Sequence, residues 1–237
     1  MGFECIARTH VGCRRKLNED ALMARPDLGL WAVADGMGGH DAGEVASALI
    51  VNSLALGPPG LDLAARTTAA SATLHEVNDK LVAMAEDGPE GRTIGSTVVA
   101  IAADAVAFAC LWVGDSRAYQ LRDGYLAQLT RDHSLVQELV DAGMLSPVEA
   151  HNHPNGNVVT RAVGAAARLD VDILHGDVRA GDIFLLASDG LTRFVEPDEL
   201  LRGLQSGDLE RAADDFVDLV VSRGAPDNLS FIVLRAN

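Results

Sequence analysis

Cysteine, basic residues and long apolar runs are all scarce in this chain of 237 residues. The three cysteines, Cys5, Cys13 and Cys110, are odd in number and widely spaced, with no C-x-x-C pair. That excludes a disulfide framework or structural zinc site as an expectation and fits a reducing compartment. Lys and Arg total 19 against 34 Asp and Glu, a formal net charge of −15. A field of that sign repels phosphate backbones and anionic headgroups, so neither nucleic acid nor membrane is an expected partner. The longest apolar stretch, Val98 to Val113, is interrupted by Asp104 and falls short of the roughly 20 residues a membrane span needs. The opening MGFECIARTH lacks the basic start and apolar run of a secretory signal, and Ile6 stands where a myristoylation pattern has Ser or Thr. A cytoplasmic protein is expected, monomeric by default because no coiled coil or appended dimerisation segment is visible. P-loop and EF-hand patterns are absent too.

The chain has a hydrophobic fraction of 48% and a charged fraction of 22%, ordinary values for a folded domain with a sizeable core. No low-complexity segment, repeat or linker divides it, so residues 1–237 read as one domain. Strand-like runs fall at 3–10, 21–25, 29–34, 96–102, 106–113, 117–121, 125–129, 158–162, 169–174, 183–187 and 229–234. Asp123-Gly124 suits a two-residue hairpin turn between two of them. Asp41 with Glu44 resembles a capping box opening a helix to Leu56. A second helix is expected from Asp62 to about Ala85, with shorter ones at 135–142, 197–204 and 209–223. Strand runs broken by two long helices, without strict β-α-β alternation, predict an α+β fold of antiparallel sheets covered by helices.

The carboxylates fall in a pattern. Asp35-Gly36, Gly114-Asp115, Asp189-Gly190 and Asp227-Asn228 each follow an apolar run or a turn, and Asn18-Glu19-Asp20 precedes a strand. Any one Asp-Gly pair is first of all a turn former. Five such clusters at strand ends suggest carboxylates held rigidly and converging, which repel one another unless a cation lies among them. All-oxygen ligands suit Mg²⁺ or Mn²⁺ rather than zinc or copper.

These residues resemble the metal-dependent type 2C serine/threonine protein phosphatases in their compact bacterial form. The signatures run in the family's order: Arg15-x-x-Asn18-Glu19-Asp20, Asp35-Gly36-Met37-Gly38-Gly39-His40, Gly95-Ser96-Thr97, Gly114-Asp115-Ser116-Arg117, Asp132-His133-Ser134, Ser188-Asp189-Gly190-Leu191 and Asp227-Asn228-Leu229-Ser230. They span Thr9 to the C-terminus. Arg8-Thr9-His10-Val11-Gly12 also resembles stand-alone phosphatases that accompany bacterial type VI secretion systems.

The resemblance implies a four-layer α-β-β-α sandwich. It implies two Mn²⁺ or Mg²⁺ ions bridged by Asp35, with the Gly36 carbonyl on one of them. Asp189 and Asp227 complete the other ion; Asp20 and Glu19 hold the second ion directly or through its waters. Asp115 with Asp189 resembles a pair that holds a third, weaker ion. Two such ions acidify a water that attacks phosphorus in line. Arg15, a fork that stays charged, is then the phosphate-binding residue, although in the basic run Arg14-Arg15-Lys16 it also reads as a solvated surface side chain. Met37 stands where some members carry a His proposed as general acid, and His40 lies three positions on. Residues 134–156 correspond to the flap beside the site. His151-Asn152-His153-Pro154 within it has too few ligands for a metal site. The expected partners are phosphoserine and phosphothreonine proteins and a cognate bacterial Ser/Thr kinase. A small-molecule phosphomonoesterase, or an inert phosphoprotein-binding module of the same fold, are the alternatives.

Overall fold

The structure is a computed structural model that describes residues 2–38, 42–87, 93–151 and 153–237. It opens with β1 (Phe3–His10), β2 (Asp20–Arg25) and β3 (Leu30–Gly38), followed by two long helices, α1 (Ala42–Ala55) and α2 (Leu63–Glu86). Then come β4 (Ile94–Ser96), β5 (Val98–Ala103), β6 (Ala107–Val113), β7 (Arg117–Arg122) and β8 (Tyr125–Gln128), and the short helices α3 (Leu135–Asp141) and α4 (Pro147–His151). β9 (Asp172–Asp177), β10 (Ile183–Ala187), α5 (Asp189–Thr192), α6 (Pro197–Leu204), α7 (Leu209–Ser222) and β11 (Leu229–Ala236) complete the chain.

Strands pair antiparallel into two sheets, ordered β1-β11-β10-β7-β8 and β2-β3-β5-β6-β9, with β4 extending the pairing of β3. Period-2 alternation explains the stacking, because successive side chains leave a strand on opposite faces. From β3, Trp31 and Val33 point between the sheets to meet Phe184, Leu186, Ile232 and Leu234. Its Leu30, Ala32 and Ala34 point the other way, onto Ala46, Ile50, Leu74 and Leu81 of α1 and α2. Leu185 and Val233 of the second sheet face Leu200, Ala213 and Phe216 of α6 and α7. Three apolar layers thus separate four structural layers, the α-β-β-α sandwich expected.

The hairpin of β7 and β8 turns at Asp123 and Gly124, both at positive φ (51° and 82°), as a primed two-residue turn requires. Asp62 caps α2 by accepting from the Ala65 N–H at 2.8 Å. The proposed cap of α1, Asp41, lies outside the described residues.

Several boundaries differ from the sequence reading. Asp35-Gly36 is not a turn after a strand: β3 runs on through it, with Gly36 opposite Ser96. The strand expected at 96–102 breaks at Thr97, whose hydroxyl, in place of its carbonyl, takes the Asp35 N–H at 3.2 Å. Residues 158–162 form no strand. Their backbone makes one isolated bridge, Val159 opposite Ser134, through Leu135 N to Val158 O and Thr160 N to His133 O, and Val163 just beyond bridges Ser96. β9 begins at Asp172, three residues later than read, because Leu169 and Val171 are spent packing into the layer under α1 and α2. Asp189-Gly190 opens the short helix α5 rather than a simple turn, and α4 and β4 were too short to be read.

Candidate active site

Residues from both sheets meet at one end of the sandwich. Asp20 and Asp35 face each other across β2 and β3. Asp115 follows β6, Asp189 follows β10 at the head of α5, and Asp227 precedes β11. The five carboxylates are close enough to act on one another. Protein packs most of the space round Asp35, and that burial, followed by the charges of Asp20, Asp189, Asp115 and Asp227, raises its pKa well above the usual carboxylate range. Asp20 is pushed up to about 7, by burial first, while the nearby hydroxyls of Ser230 and Ser188 oppose the rise. Asp115 also goes up to about 7, through burial and then Asp189 and Asp132, against Arg193 and Arg117. Burial likewise raises Asp189, with Arg193 opposing and Asp227 adding.

Each carboxylate is positioned by the local fold. Gly36 donates its N–H to the Glu19 carbonyl at 3.0 Å, and a Cβ at Gly36 would fall 2.1 Å from the Gly43 carbonyl oxygen. Only glycine lets β3 pass that close to the first turn of α1. A Cβ at Gly43 in turn would lie 2.5 Å from Glu19 Oε1, so the Glu19 carboxylate reaches over the same turn. Asp20 accepts from Ser188 Oγ at 3.0 Å through Oδ2, while its Oδ1 is buried without a hydrogen-bond partner. Arg15 donates to Asp227 Oδ2 at 2.8 Å and keeps about half its side chain exposed (49%); after that bond, the charges of Asp227, Glu19 and Asp35 reinforce its positive form.

Asn228, in the sequence one member of the motif Asp227-Asn228-Leu229-Ser230, ties the site together. Its side chain accepts from the Glu19 N–H (2.8 Å) and donates to the carbonyls of Val11 (2.8 Å) and Leu17 (3.0 Å). The amide fastens the loop carrying Arg15 and Glu19 to the start of β11. In the sequence only its place directly after Asp227 marks it. The Asp132-His133 motif is also a brace: Arg117 clamps Asp132 through Nε and Nη2 at 2.7–3.1 Å, and His133 Nδ1 accepts from the Gly114 N–H at 3.0 Å.

A cleft of about 560 Å³ is lined by Asp115 and Asp189 and by Val136, Val140, Pro147 and Ala150 of segment 134–156. His40 lies outside the described residues, as do Asn152 and the side chain of His151. His153 Nδ1 accepts from the Asn155 N–H (3.1 Å). Met37 sits in β3 opposite Gly95. The described residues hold no group of three His, Cys, Asp or Glu side chains gathered closely enough to define a metal site by themselves. No helix among the described residues is long and apolar enough to cross a membrane.

Residues 13–230 match the family described as protein phosphatase 2C. The chain is 39% identical over 230 residues to the serine/threonine protein phosphatase PstP of Mycobacterium tuberculosis, covering 96% of this chain but 44% of that one. It is 37% identical to the serine/threonine phosphatase stp of Listeria innocua, covering 97% and 94% of the two chains. A solved structure of PppA, described as a key regulatory component of T6SS in Pseudomonas aeruginosa, superposes with a TM-score of 0.93 at 42% identity, covering 100% and 99%. The chain belongs to the protein phosphatase 2C family.

Proposed function

We propose that this chain is a metal-dependent protein phosphatase that hydrolyses phosphoserine and phosphothreonine on proteins, reversing a bacterial Ser/Thr kinase. The observation that carries this reading is the cluster of Asp20, Asp35, Asp115 and Asp189, each raised by burial and by its neighbours. Ionised together, such carboxylates repel one another unless cations lie among their oxygens. The buried, unpartnered Asp20 Oδ1 and the all-oxygen donor set fit a hard divalent ion. A PstP catalytic domain solved with 2 manganese ions, 37% identical with a TM-score of 0.87, supports the same choice.

Asp35, Asp189, Asp227, Asp20, Glu19 and the Gly36 carbonyl would hold two ions, Mn²⁺ or Mg²⁺, and Asp115 with Asp189 a third. When bound, such ions supply positive charge that acidifies a water and offsets charge on a phosphoryl group. The chain's own residues do the rest. Arg15 cannot lose its proton and binds phosphoryl oxygens with the N–H groups that Asp227 leaves free. Asn228 and the Asp227 contact keep that guanidinium over the carboxylates. Segment 134–156 acts as a flap along the cleft, where the polypeptide flanking a phosphorylated residue lies.

The names of the similar proteins favour phosphoprotein substrates over small phosphomonoesters. The likeness to a regulatory component of a secretion system supports a role in controlling type VI secretion. The test is phosphate release from a phosphothreonine peptide with EDTA, Mg²⁺ or Mn²⁺. Turnover restored by either ion and suppressed by EDTA is expected; a folded protein silent under every condition would be the inert binding module instead.

A further inference from the structure

Arg193 lies one helical turn beyond Asp189 and lines the cleft. Its Nε is 2.9 Å from Asp189 Oδ2 and its Nη2 is 3.9 Å from Asp115 Oδ2. The carboxylates are 18% and 7% exposed, so this guanidinium meets them where solvent screens little. The same Nη2 donates to the Gly156 carbonyl, at the end of segment 134–156. The other nearby arginine, Arg117, is committed to Asp132. One side chain therefore joins the acidic pair to the end of segment 134–156.

We propose that Arg193 is a resident counter-cation of the Asp115–Asp189 pair, competing there with a divalent ion and latching segment 134–156 to the site through Gly156. The proposal rests on the metal-dependent reading above. The chemistry is competition: a divalent ion and a guanidinium draw on the same two poorly screened carboxylates, so occupancy by one weakens the hold on the other. Asp115 and Asp189 would hold the ion; Arg193, drawn off the pair, would then release the Gly156 carbonyl from Nη2, so the state of the acidic pair would be read at the end of segment 134–156. Arg193 is a positioning residue in this scheme.

The test counts Mn²⁺, with no substrate present, by the free-ion signal in electron paramagnetic resonance. Arg193→Ala should tighten the weakest class of Mn²⁺ sites about tenfold, the scale of a lost charge-assisted bond, or reveal such a class where wild type has none. Arg193→Lys, which keeps the charge and loses the fork, should fall between, and it serves if the alanine variant does not fold. Adding Asp115→Asn to Arg193→Ala should abolish the gain. Hydrogen exchange at residues 155–158 should quicken in Arg193→Ala, and in wild type at high Mn²⁺. Unchanged weak sites overturn the competition, and unchanged exchange overturns the latch. Either result leaves the two-ion reading standing if tight Mn²⁺ sites and turnover persist. Loss of all Mn²⁺ binding overturns both.

Discussion

Arg15 and Asn228 show how differently two side chains of one site are engaged. Arg15 has one described carboxylate partner and is half exposed, so its removal should spare the fold and damage the chemistry. Arg15→Ala is expected to lower kcat/KM on a phosphopeptide about 100-fold, the usual effect of deleting one donor to a developing oxyanion, while Arg15→Lys recovers part; urea unfolding should hardly move. Asn228→Ala does the reverse first. It strands one N–H and two carbonyls at a nearly closed position (5% exposed), costing about 2–4 kcal/mol in urea unfolding. The carboxylates were legible because each stands beside a strand end or turn residue. Asn228 and Arg193 were not, because their roles depend on partners more than 30 residues away in sequence or on a surface that only folding creates.

At the scale of elements, glycine contacts and the cleft wall carry the consequences. A Cβ at Gly190 would fall 1.8 Å from the Asn228 carbonyl oxygen, so Gly190→Ala must push α5 from β11. The cost is about 1–3 kcal/mol, visible as a lower urea midpoint. Shortening segment 142–156 should depress activity on phosphoproteins more than on a small aryl phosphate; equal loss on both would remove the segment from substrate choice. Period-2 runs and Asp123-Gly124 made most strands readable, and α6 was readable to the residue. Segment 158–162 misled because its pairing stops at one isolated bridge, Val159 with Ser134, which a local pattern cannot distinguish from a ladder. The continuation of β3 through Gly36 was hidden because an Asp-Gly pair signals a turn unless a partner such as β4 is known.

For the molecule as a whole, acidity and stability are linked through the site. Asp20 and Asp115, at about 7, and the raised Asp35 and Asp189 hold protons in the folded state that the unfolded chain gives up near pH 4. Between about pH 4 and 7 the metal-free fold therefore binds more protons than the unfolded chain, and the cluster's contribution to stability falls as pH rises. His133 acts oppositely: burial lowers its pKa, so it costs stability as pH falls below about 6.5. Arginine-paired carboxylates such as Glu199, lowered to about 2 by its bond with Arg223, act at lower pH still. The contrast between metal-free and Mn²⁺-loaded protein isolates the cluster: the rise in Tm on adding Mn²⁺ should be larger at pH 8 than at pH 5. A rise independent of pH would show that ions do not relieve these carboxylates.

The most direct measurement is Mn²⁺-dependent phosphate release from a phosphothreonine peptide by wild type and Asp189→Asn, run beside Mn²⁺ counting on the same samples. The account predicts turnover that follows ion occupancy in wild type, and a folded Asp189→Asn protein that binds fewer ions and loses on the order of 10³ in rate. Full activity in Asp189→Asn, or turnover unaffected by EDTA, would contradict it.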